Sequence, residues 1–447
     1  MSLPEYGSYK PSGVEWVGDI PEHWKIQPLR RAISTPIGNG IFKKKDQFGS
    51  GTLLINVYDI YRRDFVVNVQ TLERVTCTLP EIAAYRVKPG DLFFVRSSLK
   101  EDGIAAVSMA GPAGEAVVFE CHLVKVTPDT SVLHSRYASY LLNSQYYRSI
   151  MIAKAKITTM TTVDQEAILS LPLLVPPLSE QSSIAAFLDY ETAKIDGLVE
   201  EQKRLIELLE EKREAVIFHA VTMGLDQNAL TKYPGVEWLD RVPEHWDIAR
   251  VKTIYRERDE RSMDGSEELL SVSHLTGVTP RSEKTVYMFE AETTEGYKKV
   301  HKTDFVINTL WAWMGAMGSS KFEGIASPNY HVYALRGDEF SSNYMGLLCR
   351  INSFVRFVGS RSRGVWSSRL RFYPDDFFEL ALPRPPLSEQ IAIIQFVENT
   401  TGVFREIAAS SERAIALLQE RRNALISAGV TGKIDVRGLV PVEAEAA

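Results

Sequence analysis

Apolar and polar residues follow two regimes along this chain. In one, short apolar runs are bounded by Gly, Pro and charge. Thr52–Val57, Asp91–Val95 and a stretch from Gly114 to Val126 read this way as strands, and so does Thr303–Asn308 further on. Tyr137 to Ile150 carries its aromatic and aliphatic positions at spacing three and four, which predicts a helix. In the other regime that spacing is sustained. Leu188, Ile195, Leu198, Leu205, Leu209 and Val216 mark one long helix; Val397, Phe404, Ile407, Ala414, Leu418 and Leu425 mark a second. About 38 helical residues span roughly 57 Å. Both stripes carry a polar residue at the same middle position, Gln202 and Ser411, a device that fixes register in coiled coils. The first helix is expected to follow Pro176 and Pro177, with Ser179 as its N-cap and Glu180 facing the positive helix end.

The two helices open on one phrase. Pro176-Pro177-Leu178-Ser179-Glu180-Gln181 returns as Pro385-Pro386-Leu387-Ser388-Glu389-Gln390, 209 residues later. A second phrase repeats ahead of each variable region. Gly13-Val14-Glu15-Trp16 and Ile20-Pro21-Glu22-His23-Trp24 return as Gly235-Val236-Glu237-Trp238 and Val242-Pro243-Glu244-His245-Trp246, at an offset of 222. The second variable region is therefore 13 residues shorter. This order predicts two modules with one scaffold and different contents. The expected architecture is α+β: two globular α/β domains separated by two long antiparallel helices, related by a pseudo-two-fold repeat. The boundaries read as 1–175, a helical spacer 176–226, a second domain 227–384, a second spacer 385–435 and a loose tail 436–447.

Composition adds limits. The chain has 447 residues, 45% apolar and 24% charged, and belongs with soluble globular proteins of two or three domains. No apolar run is long enough to span a membrane, and the N-terminus lacks a signal-peptide core, so a cytoplasmic location is expected. Cys77, Cys121 and Cys349 are far apart, without zinc-ligand spacing, and read as reduced thiols; no metal site is expected. The net charge of −6 excludes no partner, because local patches decide electrostatic binding. Ile184 to Val221 holds five basic and nine acidic residues, so the first helix is a spacer and protein-binding face, not a phosphate-hugging one.

Candidate binding chemistry lies elsewhere. From Phe354 to Tyr373 there are five arginines, Arg356, Arg361, Arg363, Arg369 and Arg371, with Trp366, small residues and no acid. Arginine forks read guanine edges or clamp phosphates, and small residues let the backbone approach. The first variable region offers Lys43, Lys44 and Lys45, then Arg96 and Lys100, and a threonine-rich loop from Ile157 to Thr162 that follows Lys154 and Lys156. His23 and His245 have no neighbour at catalytic or ligand spacing and read as structural turn residues. Ser327-Pro328-Asn329-Tyr330 misses by one residue the tetrad that holds a flipped base in DNA methyltransferases, and no Gly-x-Gly turn precedes it. No P-loop exists. No catalytic residue is assigned.

The two repeated phrases and the strands around Asp91 and Asp304 resemble the specificity subunit of type I restriction–modification systems, over nearly the whole chain. The resemblance implies a non-catalytic subunit with two target recognition domains, each reading one half of an asymmetric bipartite DNA site. The helices would set the spacing between the halves. Two modification subunits would dock and methylate adenine with S-adenosylmethionine, and two restriction subunits would add ATP- and Mg-dependent cleavage. This chain itself would hold no cofactor. A single-chain methyltransferase or nuclease is the alternative, and an adaptor that joins proteins without reading DNA is a third reading.

Overall fold

A computed structural model describes residues 3–98, 103–157, 161–284, 293–364 and 370–439. Two helices dominate it, Leu178–Met223 with 46 residues and Leu387–Val430 with 44. The chain divides into two compact units, residues 1–203 with 412–447, and residues 204–411. Each unit therefore owns one variable region, half of one long helix and the opposite half of the other.

In the first unit the central sheet has five strands, in the order Gly38–Asn39, Leu123–Val126, Leu92–Val95, Val107–Ala110, Val66–Val67. The last pair is parallel and the rest antiparallel. A second sheet places Phe48–Ile55 between Val117–Phe119 and Glu73–Val75. The stretch from Gly114 to Val126 is thus two strands in two different sheets, because the chain turns at Cys121 and His122. The expected helix Tyr137–Ile150 is also two, Ser135–Asn143 and Gln145–Ala153, broken at Ser144, whose backbone is extended. One core joins the central sheet and these two helices to Ile184 and Leu188 of the first long helix and Ile426 and Val430 of the second, while the second sheet packs its own cluster around Leu53, Ile55, Val117 and Phe119. An early stretch of one helix therefore meets a late stretch of the other.

The second unit repeats that antiparallel meeting with Ile217 and Val221 against Ile393 and Val397. Its sheet has four antiparallel strands, ordered Tyr255–Glu257, Tyr330–Leu335, Phe305–Asn308, Met317–Ser319. Two two-stranded sheets, the hairpin of Leu270–Ser273 with Gly277–Pro280 and the long-range pair of Lys298–Val300 with Gly324–Ala326, replace the second sheet.

One strand pair closes each variable region. Lys25–Pro28 pairs antiparallel with Pro172–Val175, and Asp247–Arg250 with Ala381–Arg384. Lys25 faces Val175 as Asp247 faces Arg384, so the offset of 222 meets the offset of 209 across one ladder. The missing 13 residues lie wholly between the clasps.

Along the long helices, Leu188, Ile195 and Val397 are buried as expected. Leu209, Phe404, Leu418 and Leu425 are half-buried, and Leu205 is exposed. Val199 is buried where Leu198, exposed, was expected. A straight helix drifts by about 20° per seven residues against a strict heptad, so a stripe read at fixed spacing leaves the buried face. The first long helix begins at Leu178, which places Ser179 inside its first turn instead of at the cap. The carbonyl of Pro177 accepts from the N–H groups of Glu180 and Gln181.

Candidate nucleic-acid interface

The two repeated phrases meet in space. Glu180 is buried, and its carboxylate accepts from the Tyr6 hydroxyl at 2.5 Å and the Trp24 Nε1–H at 2.9 Å, with His23 Nε2 at 2.7 Å. In the second unit His245 Nε2 lies 2.8 Å from Glu389. The histidines, without partners in linear spacing, do have partners in space: the acids of the other motif, 157 and 144 residues away. Burial and Glu180 together push the Tyr6 hydroxyl far above its ordinary value.

The neighbouring glutamine does as much. Gln181 is fully buried; its Nε2 donates to the carbonyls of Val132 and Pro176, both at 2.9 Å, and its Oε1 accepts from the His134 N–H at 2.8 Å. Gln390 makes the same three bonds, to Glu339 and Pro385 and from Ser341. These backbone groups sit just before the helices Ser135–Asn143 and Ser342–Leu348, where Tyr137 donates to Leu174 and Tyr344 to Val221. Trp16 meets the Tyr147 ring edge-on at 5.2 Å, and Trp238 meets Phe354 in the same way at 5.1 Å. Gly432 and Gly224 end the two helices in the left-handed region, where a side chain would strike Pro21 in one unit and Glu389 in the other. Each joint thus ties a globule to two helix ends through buried hydrogen bonds.

The variable regions hang from these joints and carry the cationic candidates. Lys43 is buried and bound to both oxygens of Glu81, at 2.9 and 3.0 Å. The Thr78 N–H and that ammonium hold the Glu81 carboxyl below the usual range. Lys44 and Lys45 are exposed. Arg96 is half-buried, and its Nε has no hydrogen-bond partner among the described residues. Lys154 caps the helix Gln145–Ala153 and is exposed; Lys156 reaches Asp164 at 3.3 Å. Lys156–Ile157 pairs with Thr161–Thr162, which pairs in turn with Ser97–Ser98, so the two ends of the threonine-rich loop belong to a small three-stranded sheet; residues 158–160 lie outside the described residues.

Arg356 and Arg361 lie on the helix Asn352–Arg361, both exposed. Arg361 donates to Glu237 at 3.1 Å over the Phe357 ring; Arg363 donates to Asp376 at 2.5 Å. Arg363 and Arg371 exchange both backbone hydrogen bonds at 2.9 Å. Lys100, Trp366 and Arg369 lie outside the described residues. The sequence reading missed Trp311, which is 49% exposed and stacks on Trp313 with ring centres 6.2 Å apart. Its signal was the Trp-x-Trp spacing in a variable loop. Among the described residues, ligand-type atoms of Glu120, Cys121 and His122 come within 4.8 Å of one another, and burial raises the Glu120 carboxyl.

Fold and joint together define a duplicated two-module subunit, with unlike globules on one scaffold. No protein-family model matches the chain. A curated protein of Methanocaldococcus jannaschii, named as the type I restriction enzyme MjaX specificity subunit, is 24% identical over 437 residues, covering 94% of this chain and 96% of that one. A chain from a type I R-M system, solved for its complex assembly and conformational transition, matches with a TM-score of 0.69 at 12% identity, over 92% of this chain and 98% of that one. The HsdS subunit of Thermoanaerobacter tengcongensis matches with a TM-score of 0.55 at 13% identity, over 93% and 98%. The chain is similar to type I specificity subunits along nearly its whole length and has their fold. Among the described residues no helix is long and apolar enough to cross a membrane.

Proposed function

We propose that this chain is the DNA-reading subunit of a type I restriction–modification assembly, with each variable region reading one half of an asymmetric bipartite target. The observation that carries this reading is the duplicated joint: the anchoring glutamine's three bonds and the histidine–glutamate pair are repeated, around contents that differ in sheet count, sheet order and charged loops. A scaffold copied so closely beneath unlike surfaces fits two readers of two different sequences. Basic loops would supply the sequence-independent attraction to phosphate, and a few paired contacts would discriminate bases by about 1–3 kcal/mol each. The long helices would dock modification subunits and set the gap between half-sites. S-adenosylmethionine, ATP and Mg would be bound by partner subunits, and methyl transfer would take place on them.

Methylation-aware sequencing of host DNA, with and without the gene for this chain, tests the proposal. A bipartite methylated motif that disappears with the chain is expected. Methyl transfer by the purified chain with S-adenosylmethionine and DNA alone would overturn it in favour of a single-chain methyltransferase.

A further inference from the structure

The described ends of two unlike loops occupy equivalent places in the two units. The helix Gln145–Ala153 and the helix Asn352–Arg361 start 207 residues apart, and each follows an extended residue after the helix that Gln181 or Gln390 anchors. At that offset Lys154 falls on Arg361 and Lys156 on Arg363. Beyond the loop the framework returns at offset 209, which places Thr162 on Arg371 and Val163 on Phe372. The hydrogen bonds agree. Lys156 pairs with Thr162 as Arg363 pairs with Arg371. Then the Val163 N–H donates to the Arg96 carbonyl at 2.9 Å, and the Phe372 N–H to the Thr309 carbonyl at 3.2 Å. Arg96 and Thr309 stand alike, each following the central strand of its sheet, Leu92–Val95 or Phe305–Asn308. The described bases of the threonine-rich and arginine-rich loops are therefore equivalent, each an antiparallel ribbon stem rooted beside the central strand, with two residue pairs in the first unit and one in the second; residues 158–160 and 365–369 lie outside the described residues.

Two features of the stems point to an anionic partner. Both members of the first pair, Lys154 and Arg361, and both members of the second, Lys156 and Arg363, are cationic and exposed. The side chains of Lys156 and Arg363 are 74% and 68% exposed. The acids they reach, Asp164 and Asp376, do not correspond to one another in the repeat, so the charge is duplicated and its local partner is not. The Lys156–Asp164 pair is exposed on both sides and contributes about 0–1 kcal/mol, so a phosphate can take that lysine at little cost. The Asp376 side chain is only 14% exposed, so Arg363 keeps its acid and offers a phosphate its remaining N–H donors.

We infer that these two ribbon stems are the equivalent half-site readers of the two modules, Lys154 and Lys156 serving one half of the DNA target and Arg361, Arg363 and Arg371 the other. This rests on the proposed function and adds which element does the reading. Chemistry differs within the shared geometry. Lys154 and Lys156 offer compact point charges suited to phosphate, whereas the arginines also offer a planar fork that can engage guanine O6 and N7. Exchanging arginine for lysine in the second module should therefore relax base preference, while the reverse exchange in the first should leave it intact.

The test uses the full chain in complex with its modification subunits, with methylation of a genomic library and backbone footprinting as readouts. Lys156→Glu should lower methylation roughly tenfold, uniformly across sequences, with backbone footprinting protection lost over one half-site only. Arg363→Glu should lower methylation with protection lost over the other half-site and a broadened base profile there. Lys156→Arg should keep the wild-type profile, and Arg363→Lys should keep methylation with a broader profile in its half. If the wild-type complex methylates a bipartite motif but both reversals erode the same half, erode both halves alike, or change nothing, the assignment to these stems is wrong and the parent reading stands. If the wild-type complex shows no bipartite motif, the parent reading itself falls.

Discussion

The two joints are built from the same residues and do not close equally well. In the first unit Glu180 gathers a tyrosine, a histidine and a tryptophan, and only 4% of its side chain is exposed. In the second unit Glu389 keeps the histidine alone and is 24% exposed. No tyrosine stands where Tyr6 would fall, and the Trp246 Nε1 is buried without a hydrogen-bond partner among the described residues. Nearly identical motifs thus give one sealed joint and one open joint: the tyrosine comes from outside the motif and is lost, and the tryptophan inside it makes its bond in the first unit only. The lesson is that a repeated phrase specifies which groups meet, and its surroundings decide how much each meeting contributes.

Mutation of the two acids gives the largest expected contrast. Glu180→Ala leaves the Tyr6 hydroxyl and the Trp24 N–H unpaired in a buried site, and should destabilise the first unit by about 2–4 kcal/mol. Glu389→Ala removes one pair with a half-exposed histidine and should cost about 1 kcal/mol or less. Hydrogen exchange across residues 4–24 and 235–250 reads the two effects separately. Equal losses would refute the asymmetry.

A smaller contrast lies in the turn before each central strand. Asp91 and Asp304 are both buried, and each accepts from the N–H three residues back, of Lys88 and of His301. The residue before each aspartate is in the left-handed region: Gly90 at φ 87° and Thr303 at φ 73°. Glycine adopts that region freely, whereas a branched side chain there costs about 1–2 kcal/mol. Thr303→Gly should therefore stabilise the second unit by about 1 kcal/mol, seen as a higher urea midpoint. Gly90→Thr should destabilise the first, where an added Cβ lies 3.0 Å from the Ser135 hydroxyl.

The smallest effect is one of pH. His134 and Ser341 occupy equivalent places, each giving its N–H to the anchoring glutamine. Burial holds His134 below the ordinary histidine range. The unfolded chain then binds a proton, near pH 6.5, that the folded unit resists. The stability this group permits is present above that pH and is lost as pH falls through it. Protection of residues 135–143 should weaken between pH 7 and pH 5, relative to residues 342–348 and after correction for intrinsic exchange. His134→Ser should abolish the difference.

Most of the scaffold was legible in the sequence. The repeated phrases, the long helices, the central strands at Asp91 and Asp304 and the shortened second region all follow from identity and spacing, because local patterns carry them. The partners of His23 and Glu180 were written in the same phrases, but nothing in a linear reading shows that two motifs 157 residues apart touch. The match between Tyr137 and Tyr344 was not legible: its offset of 207 departs from both 222 and 209, and few residues around it are identical. The same holds for the ribbon stems, where lysine and threonine on one side stand for arginine on the other.

What the sequence determined by itself is the duplicated plan and the chemistry each loop brings, since composition and periodicity are local properties. Which loops are counterparts was decided only by the tertiary structure. Correspondence there is set by shared backbone hydrogen bonds and buried anchors, and exposed side chains are free to diverge while that frame stays fixed.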